Sequence, residues 1–162
     1  MDLNSSAFVA PPELVRAVSR CATPIDCPLD RYLFRQGDDP TGLYVLLSGR
    51  VTMILESVPC PFEVVHELES PGSLLGLPAI IGDKPYSLTA VAHAHAEVSF
   101  VKRDDFSRLM LSEPALGMMI LQVLAAEVRS ARAAISEYPA RIHRARSLRR
   151  KAPLMGLTEA SR

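Results

Sequence analysis

Leu43-Tyr44-Val45-Leu46-Leu47-Ser48-Gly49-Arg50-Val51-Thr52-Met53-Ile54-Leu55 decides how this chain is read. Two short apolar runs flank Ser48-Gly49-Arg50, and glycine supplies the positive φ that tight turns need. The spacing predicts a β-hairpin. Working outward, residues 63–68, 87–92 and 97–101 read as further strands, the last alternating polar and apolar side chains. Pro71-Gly72, Gly82-Asp83 and Lys84-Pro85 punctuate them as turns. Residues 30–103 therefore read as β, and short strands at this spacing predict an antiparallel sandwich or barrel, a jelly roll being one option.

After residue 103 the period changes. Asp104-Asp105 suit the cap and first turn of a short helix over 106–111. Ser112-Glu113-Pro114 then opens a second helix, predicted from residue 115 to about 137, where Pro139 follows. At 1.5 Å per residue it is roughly 33 Å long. Leu121, Leu124, Val128, Ala131, Ile135 and Tyr138 fall on 3-4-3-4-3 spacing, the pattern of a seam with a parallel partner helix. A second stripe, Leu116, Ile120 and Val123, can face the β body. A helix apolar on two sides needs two partners, which predicts a homodimer.

Composition sets the class. The chain has 162 residues, 48% hydrophobic and 22% charged, which excludes wholesale disorder. No apolar run approaches the roughly 18–20 residues of a membrane-spanning helix, and Met1 to Ala10 lacks a basic signal-like start. Cys21, Cys27 and Cys60 are too few for a disulfide scaffold, so a cytoplasmic location and no membrane partner are expected. The net charge of zero conceals an asymmetry. Residues 1–140 hold 11 Lys/Arg against 17 Asp/Glu, while residues 141–162 hold 7 against 1. Only that basic tail is suited to a polyanion.

Leu33-Phe34-Arg35-Gln36-Gly37-Asp38, then Gly42 through Val51, Pro71-Gly72-Ser73-Leu74-Leu75-Gly76 and Val101-Lys102-Arg103-Asp104-Asp105-Phe106 resemble cyclic-nucleotide-binding domains. The match is to bacterial regulators of the catabolite-activator/fumarate-nitrate-regulator (Crp/Fnr) superfamily, and it covers about residues 14–138. It implies a mainly β fold with a C-terminal α part, a double-stranded β-helix jelly roll followed by a short helix and a long dimerisation helix. Residues 1–13 would then be an N-terminal extension and 139–162 a basic tail.

In nucleotide-binding members of that family the cyclic phosphate sits in a cassette of Gly-Glu-Leu-Ala followed by Arg-Ala-Ala-Thr. Backbone N–H groups and the guanidinium hold the phosphate, and the Glu accepts from the ribose 2′-hydroxyl. Here the matching residues are Gly76-Leu77-Pro78-Ala79 and Tyr86-Ser87-Leu88-Thr89. Leu77 stands at the Glu position, Tyr86 at the Arg position, and Pro78 has no N–H to offer. Each lost hydrogen bond to a charge is worth about 1.5–3 kcal/mol, so weak or no classical cyclic AMP binding is expected.

The resemblance makes Gly76, Leu77, Ala79, Lys84, Tyr86, Ser87 and Thr89 the candidate ligand-binding residues, with Leu74 and Leu75 as further walls. Lys84 reads either as a partial substitute for the missing arginine or as a solvated turn lysine. The pocket reads either as repurposed for a small, mostly uncharged effector or as vestigial and collapsed. No resident cofactor is expected; a cyclic nucleotide or another small effector is the ligand class left open.

Other chemistries leave weaker traces in the sequence. Only 24 residues follow Tyr138, against roughly 60 or more in a helix-turn-helix module, so nucleic acid would be contacted by Arg141, Arg144, Arg146, Arg149, Arg150 and Lys151 or through a partner protein. His93-x-His95-x-Glu97 has the spacing of metal ligands on one strand face, but the family match sets His93-Ala94-His95 at a hairpin turn. The cysteines lack the four-ligand spacing of an iron–sulfur site. With no nucleophile elbow, phosphate loop or dinucleotide glycine motif, the expectation is a non-enzymatic sensor domain without catalytic or metal-ligating residues. A nucleic-acid-contacting regulator is the first alternative, and a metal-dependent jelly-roll enzyme the second.

Overall fold

Strand β3 (Gly42–Ser48) is buried on both faces. Leu43 and Val45 turn towards the helices, while Tyr44 and Leu46 turn into the interior between two sheets. Side chains alternate along a strand, so an uninterrupted apolar run requires cover on both sides. The computed structural model describes residues 5–55 and 64–150. In chain order, a 3-10 turn (Ser5–Phe8) and α1 (Pro12–Ser19) precede β1 (Thr23–Ile25), β2 (Arg31–Phe34), β3 and β4 (Val51–Leu55). Next come β5 (Val64–Leu68), β6 (Ser73–Leu75), α2 (Leu77–Gly82), β7 (Thr89–Ala92) and β8 (Glu97–Lys102). The last elements are α3 (Arg103–Ser112) and α4 (Ala115–Arg150).

The strands make two antiparallel four-stranded sheets, in the orders β1-β8-β3-β6 and β2-β7-β4-β5. The fold is mainly β with C-terminal helices, as expected. The expected hairpin is not. β3 pairs with β6 and β8, whereas β4 pairs with β5 and β7. Ser48-Gly49-Arg50 is a corner that carries the chain from one sheet to the other. Gly49 has φ 84°, and a Cβ there would lie 2.7 Å from the Cα of Ala96. Ala96 closes the second corner, between β7 and β8, so His93-Ala94-His95 also joins two sheets rather than a hairpin.

The sequence reading does not foresee α1, and three further helices depart from it. Leu77–Gly82, inside the region read as β, forms α2, with Pro78 in its first turn where a missing N–H breaks no helical bond. The helix expected over 106–111 begins at Arg103. Asp104 and Asp105 lie in its first turn and Lys102 occupies the cap position. Helix α4 passes Pro139 and continues to Arg150, beyond the expected end near 137.

Two cores result. One fills the roll between the sheets, with Phe34, Tyr44, Leu46, Met53, Leu75 and Tyr86 among its members. The other lies between the first sheet and the helices, joining Leu14, Val18, Leu43, Val45, Phe106, Leu116, Ile120 and Val123. At about 1.5–3 kcal/mol per fully buried aliphatic side chain, this second core fixes α4 to the body. No helix among the described residues is long and apolar enough to cross a membrane.

Candidate functional site

The cassette residues sit where β6 turns into α2 and where the following loop returns to β7. Gly76 adopts φ 81°, which directs the chain from the strand into the helix. Leu77 is completely buried, but on the helix side with Leu74, Ile80 and Val101 rather than inside the roll. Ala79 and Leu75 face the roll interior. Leu74 and Leu77 therefore do not face the interior of the roll, contrary to the sequence reading. Strand alternation sends Leu74 and Leu75 to opposite faces.

Tyr86 lies over the Gly76 turn, and a Cβ at Gly76 would come within 2.7 Å of its ring. That ring is 3% exposed and stacks on Phe34 at 4.1 Å between centroids, 16° from parallel. Its hydroxyl donates to the Gly42 carbonyl at 2.5 Å. The Tyr86 N–H donates to the Asp38 carbonyl and the Gly37 N–H to the Tyr86 carbonyl, so the backbone on both sides is pinned. Burial pushes the phenol's pKa up, which keeps it a neutral donor.

Tyr44 and Phe100 extend the aromatic group, with centroids 4.9 Å apart and Tyr44 5.7 Å from Phe34. The Tyr44 hydroxyl donates to the Leu33 carbonyl at 2.7 Å, and burial pushes its pKa up to about 12. Thr89 is buried and its hydroxyl oxygen accepts the Gln36 N–H at 2.9 Å.

Leu77, Ala79, Tyr86 and Thr89 are thus buried and Gly76 half-buried, with Ala79 and Tyr86 in the roll core and Leu77 in the helix-side core. Lys84 and Ser87 are exposed on the connecting loop. Asp83 pairs with Arg103 at 2.7 Å, not with Lys84. Phe34, Tyr44 and Phe100 were not singled out from the sequence, although Phe34 and Tyr44 lie inside the quoted motifs. Their shared signal is a position of inward alternation on β2, β3 and β8.

The remaining chemistry is engaged elsewhere. His93 Nε2 and Thr52 Oγ1 share a hydrogen bond of 2.7 Å, and His93 Nδ1 lies 3.6 Å from Asp30. Among the described residues no three His, Cys, Asp or Glu side chains are grouped to hold a metal ion. Burial raises the pKa of the Cys21 and Cys27 thiols; Cys60 lies outside the described residues.

On α4, Leu121 and Val128 are 56% and 49% exposed, Ala131 is exposed, and Leu124 is half-buried. Ile135 falls among residues whose side chains are not described.

The model of the cyclic nucleotide-binding domain family matches residues 26–113. A CRP-like cAMP-activated global transcriptional regulator of Mycobacterium tuberculosis is 24% identical over 118 residues, covering 73% of this chain and 52% of that protein. A cAMP-dependent protein kinase regulatory subunit of Emericella nidulans is 29% identical over 86 residues, 53% of this chain and 20% of its own. The chain thus spans about half, or less, of the length of these curated relatives. Among solved structures, the catabolite activator protein of Thermus thermophilus superposes with a TM-score of 0.67 at 25% identity, covering 80% of this chain and 60% of that one.

Proposed function

Because the chain belongs to the cyclic nucleotide-binding domain family, we propose that it is a non-enzymatic regulatory domain of the Crp/Fnr type that does not bind cyclic nucleotides through the usual charge pairing. One observation carries this reading: Tyr86, at the family's arginine position, lies stacked and hydrogen-bonded over the Gly76 turn. A phosphate there would have to displace a buried ring and would meet no guanidinium. Leu77, at the glutamate position, is buried among aliphatic side chains and offers no acceptor to a ribose hydroxyl. Any effector of this pocket is then small and mostly uncharged.

The regulatory unit spans residues 14–138 and acts in the cytoplasm as a homodimer. Support for the dimer comes from Leu121 and Val128, large apolar side chains left half-exposed on one side of a helix whose other side is already packed.

Calorimetric titration with cyclic AMP and cyclic GMP tests the central claim. The expected result is no saturable heat up to about 100 μM. A dissociation constant near 1 μM, about −8.2 kcal/mol, would overturn it.

A further inference from the structure

The stripe of α4 that faces the body reads Leu116, Ile120, Val123, Glu127, Ser130. Its first three members join the helix-side core. At the fourth, where the spacing calls for another apolar residue, the chain places a carboxyl. Glu127 Oε1 is sealed from solvent and has no hydrogen-bond partner among the described residues. The elements packed against α4 include α1 and the 3-10 turn Ser5–Phe8. α1 belongs to the core that takes Leu116 to Val123. Ala126, one residue before Glu127, packs against the core that contains Ala7 and Phe8. The upper part of the stripe therefore lies under the 3-10 turn. That turn also packs on β5 and β6, with Ala7 and Phe8 in the roll core, and just after it come the Ala10 N–H to Gly72 carbonyl bond and the Val9–Ser73 bridge.

We propose that Glu127 is a protonation-gated latch between the long helix and the N-terminal 3-10 turn: the turn stays docked while the carboxyl is neutral and is released when the carboxyl ionises.

Glu127 as a whole is half-buried with its Oε1 sealed, so the physical ground is the cost of holding an unpaired ion partly out of water. A neutral carboxyl can be buried at moderate cost, whereas a carboxylate without a cation or donor cannot. Burial alone pushes the Glu127 pKa up to about 8. Among the described residues no charged group offsets this: the 3-10 turn carries none, and Glu13 and Arg16 of α1 and Arg129 and Arg132 of α4 contribute nothing. The sign follows from linkage. The docked state holds its proton more tightly than the undocked state, whose carboxyl titrates at an ordinary value. Docking is therefore fully favoured below about pH 4.5, weakens as pH rises, and has lost this contribution once pH passes about 8.

Hydrogen-exchange protection of residues 5–10, corrected for intrinsic rates, tests the latch at pH 6 and pH 9. In the wild type, protection should fall at least about tenfold at pH 9, since each pH unit adds a factor of ten to the open population while the docked carboxyl still holds its proton. Glu127→Gln, neutral at both pH values, should keep the same protection throughout. Glu127→Leu, which completes the apolar stripe, should do likewise and serves if the glutamine variant folds poorly. Unchanged wild-type protection, or equal loss in both variants, would overturn the proposal. So would a denaturation midpoint that falls with pH while residues 5–10 remain protected, because Glu127 would then be buried without gating the turn.

Discussion

Gly76→Ala tests whether Tyr86 really closes the cassette. An L-residue at φ 81° costs about 1–2 kcal/mol. The new methyl would also come within 2.7 Å of the Tyr86 ring, well inside ordinary contact. The ring has little room to yield. Phe34 stacks on one face at 4.1 Å, and the hydroxyl is held by the Gly42 carbonyl. Overpacking of this kind typically costs about 1–3 kcal/mol, so Gly76→Ala should lose about 2–5 kcal/mol in total. Urea denaturation followed by circular dichroism measures it, provided the slope with denaturant is unchanged. The contact is isolated by repeating the substitution in Tyr86→Leu. There Gly76→Ala should cost only its backbone share, about 1–2 kcal/mol, leaving a coupling of about 1–3 kcal/mol between the two sites. Additive effects, within about 0.5 kcal/mol, would refute the placement of Tyr86 over the turn.

Val128→Lys should be nearly silent in an isolated protomer, where the side chain is half-exposed, but would bury an ammonium in the proposed seam. Light scattering should show a dimeric wild type and a monomeric variant; a monomeric wild type at tens of micromolar would refute the seam. Thr89→Val removes the acceptor for the Gln36 N–H and should cost about 1–3 kcal/mol by urea denaturation. Ser87→Ala, two residues away and exposed, should stay within about 0.5 kcal/mol.

Local pattern and long-range contact divide what the sequence reveals. Strands β3, β4 and β8 were legible because their apolar residues run uninterrupted or alternate between glycine and turn signals. Their partners were not. Ser48-Gly49 signals a reversal equally well whether the two strands stay in one sheet or part company. The choice is made by Ala96, whose Cα packs against Gly49 from almost fifty residues away. Helix α1 was missed although Leu14, Ala17 and Val18 share one buried face after a proline start, because eight residues give a short periodic signal. At the site, the loss of the charged pair at positions 77 and 86 was visible by inspection. That Tyr86 stacks on Phe34 was not, since nothing local in either segment encodes their meeting. Glu127 interrupts a legible stripe, and the sealing of its Oε1 emerges only in the folded chain.

The two corners also dictate how this chain must assemble in time. Of the strand pairs among the described residues, only β4 with β5 joins neighbours in sequence; β1 waits for β8, β2 for β7, and β3 for β6 and β8. Topologies so dominated by distant pairings fold in milliseconds to seconds rather than microseconds, because loop closure must precede its reward. During synthesis at about 5–20 residues per second, Thr23 is made several seconds before its partner Phe100. Until β8 arrives, the apolar run of β3 lacks its central neighbour, and β1 has nothing to pair with in its own sheet. The nascent roll therefore exposes Leu43 to Leu47 for longer than a hairpin-built barrel of the same size would, which makes this segment the natural point of chaperone engagement and of aggregation when β8 is weakened.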